Sequence, residues 1–143
     1  MARHAVRRFM TVAPVVVTGG VSLSEARRLM REHQIRHLPV VAAGQPVGVV
    51  SQRDVYLLET LRGLDPATAR VEEAMSPEPY CVAPDAPLHE VSREMARRRI
   101  GSAVVVDRGE VVGLFTTVDA LEALATLSRG RTSSVRRLAG TRA

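Results

Sequence analysis

Two heptapeptides set 65 residues apart carry the same polar letters: GVVSQRD, residues 48–54, and GLFTTVD, residues 113–119. Each runs from a glycine through two apolar residues to a hydroxyl (Ser51, Thr116) and ends on an acid (Asp54, Asp119). Two chemistries call for such a pair. A carboxylate has two acceptor oxygens and can take both hydroxyls of a ribose. A hydroxyl where a strand turns into a helix, beside free N–H groups and the positive end of the helix dipole, suits a phosphate. Gly48 and Gly113 would let backbone approach closely. The same letters also spell a capping box, with a hydroxyl N-cap and an acid at N3. The motif alone is compatible with both.

Other polar residues separate the two copies. Thr18, Arg36, His37 and Arg53 are types that meet a ribose or a phosphate, and their partners at a shift of 65 are Ala83, Gly101, Ser102 and Val118, none of them charged. One competent cleft and one weaker cleft are expected. His37 equally suits a hydrogen bond to backbone, and His4 and His89 read as surface residues. There is no Gly-x-Ser-x-Gly elbow, P-loop or dinucleotide fingerprint, and no His/Asp/Glu set at metal-ligand spacing. Catalysis is therefore not expected, nor is a required cofactor.

The elements that position these residues are duplicated as well. At a shift of 65, Met10 falls on Met75, Val17 on Val82, Leu23 on Leu88, Met30 on Met95, Ile35 on Ile100, Val40 on Val105 and Gly44 on Gly109. A period this long marks a duplicated supersecondary unit. Each unit begins with a short strand, Val15–Thr18 or Tyr80–Val82. A helix follows: LSEARRLMREH places Leu23, Ala26, Leu29 and Met30 on one stripe, with Ser22 and Glu25 as a capping box. In the second copy Pro87 opens the helix. Two apolar strands around Gly44, or around Gly109, predict an antiparallel hairpin. A last helix spans about Arg53 to Leu64, or Val118 to Leu127. The expected fold is α+β: repeat 1 over 8–64, a linker over 65–73, repeat 2 over 74–128, and a basic, flexible tail over 129–143. One unit has too little core to stand alone, so the two are expected to share a pseudo-twofold interface. The last helices are apolar on more than one side, which predicts a homodimer built through them.

Composition narrows the class. A chain of 143 residues fits one globular unit or two small ones. Its single cysteine, Cys81, excludes an internal disulfide, fits a reducing cytoplasmic compartment and reads as a buried strand thiol. The net charge of +5 resides at the ends: residues 12–127 hold 12 Arg against 15 acids, and both termini are rich in Arg without any acid. A nucleic-acid domain would carry its cations on a folded face with aromatics, so nucleic acid is not the expected partner. The opening apolar stretch is cut by Pro14 and fails as a signal peptide, and no run is long enough to cross a bilayer.

This organisation resembles a tandem pair of CBS domains (named after cystathionine beta-synthase), the Bateman module. IRHLPVVAAGQPVGVVSQRDV is similar to the central strand–turn–strand–helix segment of that family, and IGSAVVVDRGEVVGLFTTVDAL matches it more loosely. The resemblance covers about residues 8–127. It implies two β-α-β-β-α repeats with clefts between them that take AMP, ADP, ATP or S-adenosylmethionine, and a regulatory role exerted on a partner protein. With no other domain in the chain, the module is expected to act in trans. Thr18 aligns with a position that often contacts nucleotide in the family, and Arg36 and His37 with a stretch that lines the cleft near phosphate or base. The alternative is a ligand-free dimeric scaffold with an Arg-rich tail.

Overall fold

The computed structural model describes residues 4–129; the basic tail lies outside them, apart from Arg129. A 3-10 turn over Val6–Arg8 comes first. The first half continues with β1 (Thr11–Val12), β2 (Val17–Thr18), α1 (Leu23–His33), β3 (His37–Ala42), β4 (Gln45–Ser51) and α2 (Gln52–Arg62). The second half repeats it with α3 (Val71–Ala74), β5 (Ser76–Pro77), β6 (Cys81–Val82), α4 (Leu88–Arg98), β7 (Ser102–Asp107), β8 (Glu110–Thr116) and α5 (Thr117–Ser128). The fold is α+β, as the pattern of elements predicted.

Local chemistry explains the boundaries. Ser22 caps α1 by accepting the N–H of Glu25 at 3.1 Å. The expected box is only half formed, because the Glu25 carboxylate turns outward to Arg28 at 2.7 Å. An i,i+3 pair of opposite charges outcompetes the return bond to the N-cap. Helices α1 and α4 both end on a left-handed residue, Gln34 (φ 55°) and Arg99 (φ 56°), whose N–H caps the last carbonyls. Both hairpins turn in two residues with positive φ, Ala43-Gly44 and Arg108-Gly109, the geometry that matches strand twist.

The strands form two four-stranded sheets in the orders β2-β3-β4-β5 and β1-β8-β7-β6. The halves therefore exchange their leading segments. β1 pairs antiparallel with β8, and β5 with β4. Val6, wholly buried, joins Leu88, Val91, Met95, Val105 and Phe115 in the second core. Val71, equally buried, joins Leu23, Met30, Leu38, Val40 and Val50 in the first. The segment 65–73 is thus anchored at its end: Leu23 donates its N–H to the Ala69 carbonyl at 2.9 Å, and Val71 donates to Val21 at 2.8 Å.

Met10 and Met75 seat these exchanged strands. The sulfur of each lies over a glycine of the sheet it joins, Met10 over Gly113 and Met75 over Gly48. A side chain at Gly48 would press on the Met75 sulfur and on the β5 backbone, while one at Gly113 would displace the Met10 side chain. Cys81 corrects an expectation: it lies on β6 but is exposed, since successive strand residues face opposite sides and its neighbour Val82 takes the side that packs on the second core.

Candidate functional site

The repeat seam brings residues from both halves around one cleft of about 570 Å³. Repeat 1 contributes Arg36, His37 and the strand-to-helix corner Ser51–Asp54. Facing them are Glu78, Tyr80 and the end of α4 with the start of β7, Arg98–Ser102. Val49, Pro77, Pro79 and Ile100 give the cleft an apolar wall.

The corner is built by a full capping box. The N–H of Ser51 donates to Asp54 Oδ2 at 2.8 Å, and the N–H of Asp54 donates to Ser51 Oγ at 3.0 Å. This engages one oxygen of Asp54 and only the acceptor side of Ser51. Asp54 Oδ1 and the Ser51 hydroxyl proton stay available, so the cap does not use up the chemistry of either group. The N–H of Gln52 donates to the Arg36 carbonyl at 2.9 Å, which ties the start of β3 to this corner.

His37 pairs with Ser51 across the hairpin and reaches the other repeat. A side chain at Gly101 would come within 2.9 Å of His37 Nε2, so the glycine makes room for the imidazole. Burial lowers the His37 pKa below the ordinary range; the Asp54 charge opposes this and the Arg36 charge adds to it. The ring is therefore neutral at pH 7, with a donor and an acceptor nitrogen to offer.

Arg98 is half committed. Its Nε lies 2.5 Å from Glu94, and its guanidinium covers the Tyr80 ring at 4.6 Å. Arg53 sits on a shared rim: it also lines a groove of about 620 Å³ between α1 and α2, with Arg27, Met30, Arg31 and Tyr56.

In the second motif the hydroxyl is turned onto its own acid. Asp119 Oδ2 accepts the Thr116 N–H at 2.9 Å and also the Thr116 hydroxyl at 3.2 Å. Burial raises the pKa of this carboxyl, against the lowering influence of Thr116 and of Thr11 on the exchanged strand β1. Thr116 and Asp119 do not line the described cleft. Neither does Thr18, an exposed residue at the end of β2 opposite Val41, while the cleft opens at the His37 end of β3. The structure thus gathers Arg36, His37, Ser51, Arg53 and Asp54 and leaves Thr18, Thr116 and Asp119 elsewhere. Sequence reasoning missed Glu78, Tyr80, Arg98 and Arg99. The available signal was the internal alignment, since Arg98-Arg99-Ile100 is the counterpart of His33-Gln34-Ile35, just ahead of Arg36.

Fold and cleft together define a class: a duplicated α+β module with a polar, cationic crevice at the seam of its repeats. The chain belongs to the CBS domain family, whose pattern it matches over residues 6–58 and again over 71–126. It is 38% identical over 115 residues to inosine-5'-monophosphate dehydrogenase of Korarchaeum cryptofilum, covering 80% of this chain and 22% of that protein. It therefore spans only about a fifth of that relative. To CBS domain-containing protein YhcV of Bacillus subtilis it is 32% identical, over 80% of this chain and 81% of the relative. Among solved structures, the CBS domain pair of protein MJ0100 in complex with 5'-methylthioadenosine and S-adenosyl-L-methionine superposes with a TM-score of 0.79 at 25% identity, covering 86% and 97% of the two chains. CBSX2 of Arabidopsis thaliana in complex with AMP gives 0.75 at 25% identity, covering 87% and 98%.

Proposed function

We propose that this chain is a cytoplasmic sensor module that binds an adenine nucleotide or S-adenosylmethionine in the cleft between its repeats and relays occupancy to a partner protein. The observation that carries this reading is the Ser51–Asp54 corner, which keeps a carboxylate oxygen and a hydroxyl proton unused inside a cleft walled by the other repeat. Asp54 Oδ1 accepts from the ribose hydroxyls. The Ser51 hydroxyl, the start of α2 and the nearby guanidinium groups receive phosphate. Val49, Pro77, Pro79 and Ile100 suit the faces of a purine. The ligand complexes of the MJ0100 pair and of CBSX2, similar in fold and at 25% identity, support this class of ligand.

A ligand held by both repeats favours whichever inter-repeat angle fits it best, and so shifts the population of the module. Dimerisation through α2 and α5 carries that shift outward: Tyr56, Leu57 and Leu61 on α2, and Val118, Leu121 and Leu124 on α5, are all exposed. No helix among the described residues is long and apolar enough to cross a membrane.

Thermal unfolding with AMP, ADP, ATP and S-adenosylmethionine tests the reading. Ligand at about a hundred times its Kd stabilises by about 2.7 kcal/mol, which raises Tm by several degrees. If millimolar concentrations of all four leave Tm unmoved, the reading fails.

A further inference from the structure

We infer that the cleft selects its ligand by phosphate, taking AMP, ADP or ATP and discriminating against S-adenosylmethionine and 5'-methylthioadenosine; this rests on the nucleotide-binding reading above. Arg36 and Arg53 reach the cleft from repeat 1 and Arg99 from repeat 2. All three are exposed, and none forms an ion pair among the described residues. Arg98 is excluded from this set because Glu94 already engages it.

The lining holds two carboxylates, Asp54 and Glu78. Asp54 is partly compensated, since it accepts the Ser51 N–H at the positive end of α2. The balance favours an anion. Guanidinium groups match phosphate oxygens in both charge and geometry. A sulfonium cation adds to the positive charge already present, and an uncharged thioether nucleoside leaves it uncompensated.

The duplication supplies an internal control. The positions equivalent to Arg36, Arg53 and Arg99 are Gly101, Val118 and Gln34. Each feature forms in the copy that lacks the corresponding cation: the left-handed helix cap at Gln34 in repeat 1, and the strand-to-helix box and hairpin of repeat 2 with Gly101 and Val118 in place of Arg36 and Arg53. The fold therefore does not require them. Arg53 also stands in the first turn of α2, where the helix dipole disfavours a cation, so helix stability does not explain it. Because the three charges come from opposite repeats, an anion between them relieves their repulsion and draws the repeats together.

Calorimetric titration of the full chain with AMP, ATP, S-adenosylmethionine and 5'-methylthioadenosine, at low and at high salt, tests this. AMP and ATP are expected to bind at least about tenfold tighter than the other two, and to lose affinity as salt rises while 5'-methylthioadenosine does not. Arg99→Gln and Arg53→Gln, both at exposed positions, are each expected to weaken ATP binding by about tenfold, with far-UV circular dichroism confirming the fold. Binding of 5'-methylthioadenosine or S-adenosylmethionine as tight as AMP would overturn phosphate selection and leave the nucleotide-binding reading intact. So would AMP and ATP affinities untouched by both substitutions. If none of the four ligands binds, the nucleotide reading itself falls, and this inference with it.

Discussion

Ser51 and Asp54 hold each other: each backbone N–H donates to the other's side chain, at 2.8 and 3.0 Å, and each side chain keeps one function unused. Thr116 and Asp119 make the same exchange but add a hydroxyl-to-carboxylate bond that engages the Thr116 hydroxyl proton. Structural capping and ligand binding are therefore not rival explanations of one motif. The first copy satisfies the helix and leaves the Ser51 hydroxyl proton unused, while in the second the Thr116 hydroxyl proton is taken up by its own acid.

Substituting the two acids separates the roles. Asp54→Ala and Asp119→Ala each remove half of a capping box and are each expected to cost about 1 kcal/mol in urea unfolding. Nucleotide affinity is expected to fall at least about tenfold in Asp54→Ala and to stay unchanged in Asp119→Ala. Equal losses of affinity in the two variants would place the ligand elsewhere.

The exchanged strands give a second pair. A Cβ at Gly48 would meet Met75 Sδ at 2.6 Å and the Ser76 carbonyl oxygen at 2.9 Å. At Gly113 the close atoms all belong to the flexible Met10 side chain. Backbone yields less readily than a methionine, so Gly48→Ala is expected to destabilise by about 1–3 kcal/mol and Gly113→Ala by less. Urea midpoints measured side by side test the order; the reverse order would contradict the packing described for β5.

His37 makes stability depend on pH. Burial lowers its folded pKa below the ordinary 6.5, so the unfolded chain binds the proton more tightly. The contribution of His37 is complete above pH 6.5 and is lost as pH falls from there through the folded pKa. His37→Gln is expected to show a shallower loss of stability than the parent as pH falls below 6.5, read from urea midpoints. Parallel curves for the two proteins would mean the imidazole is not held neutral.

The apolar faces of α2 and α5 predict self-association. Leu121 and Leu124 are 60% and 62% exposed, one turn apart on α5. A Leu121→Glu/Leu124→Glu double substitution is expected to convert a dimer to a monomer in sedimentation velocity without loss of helix content. A parent protein that sediments as a monomer at micromolar concentration would remove the proposed route for relaying occupancy.

Everything that repeats locally is legible in the linear chain. Its 65-residue period, the apolar stripe of α1, the positive-φ hairpin turns at Gly44 and Gly109, and the hydroxyl-acid pairs at Ser51 and Thr116 are short-range patterns, and each marks an element whose stability is decided within a few residues. Which repeat each leading segment joins was set by long-range packing: Val6 sits in the second core and Val71 in the first because β1 and β5 cross the seam. It also decided that Arg36, His37 and Asp54 share a cleft with Tyr80 and Arg99 while Thr18 stays at the far end of its sheet. Such placements depend on contacts between residues distant in the chain, and neither the periodicity nor the composition of either half encodes them. Cys81 shows the limit at the scale of one side chain: strand propensity located it on β6, but its exposure followed from which face of that strand, the Val82 side, meets the core.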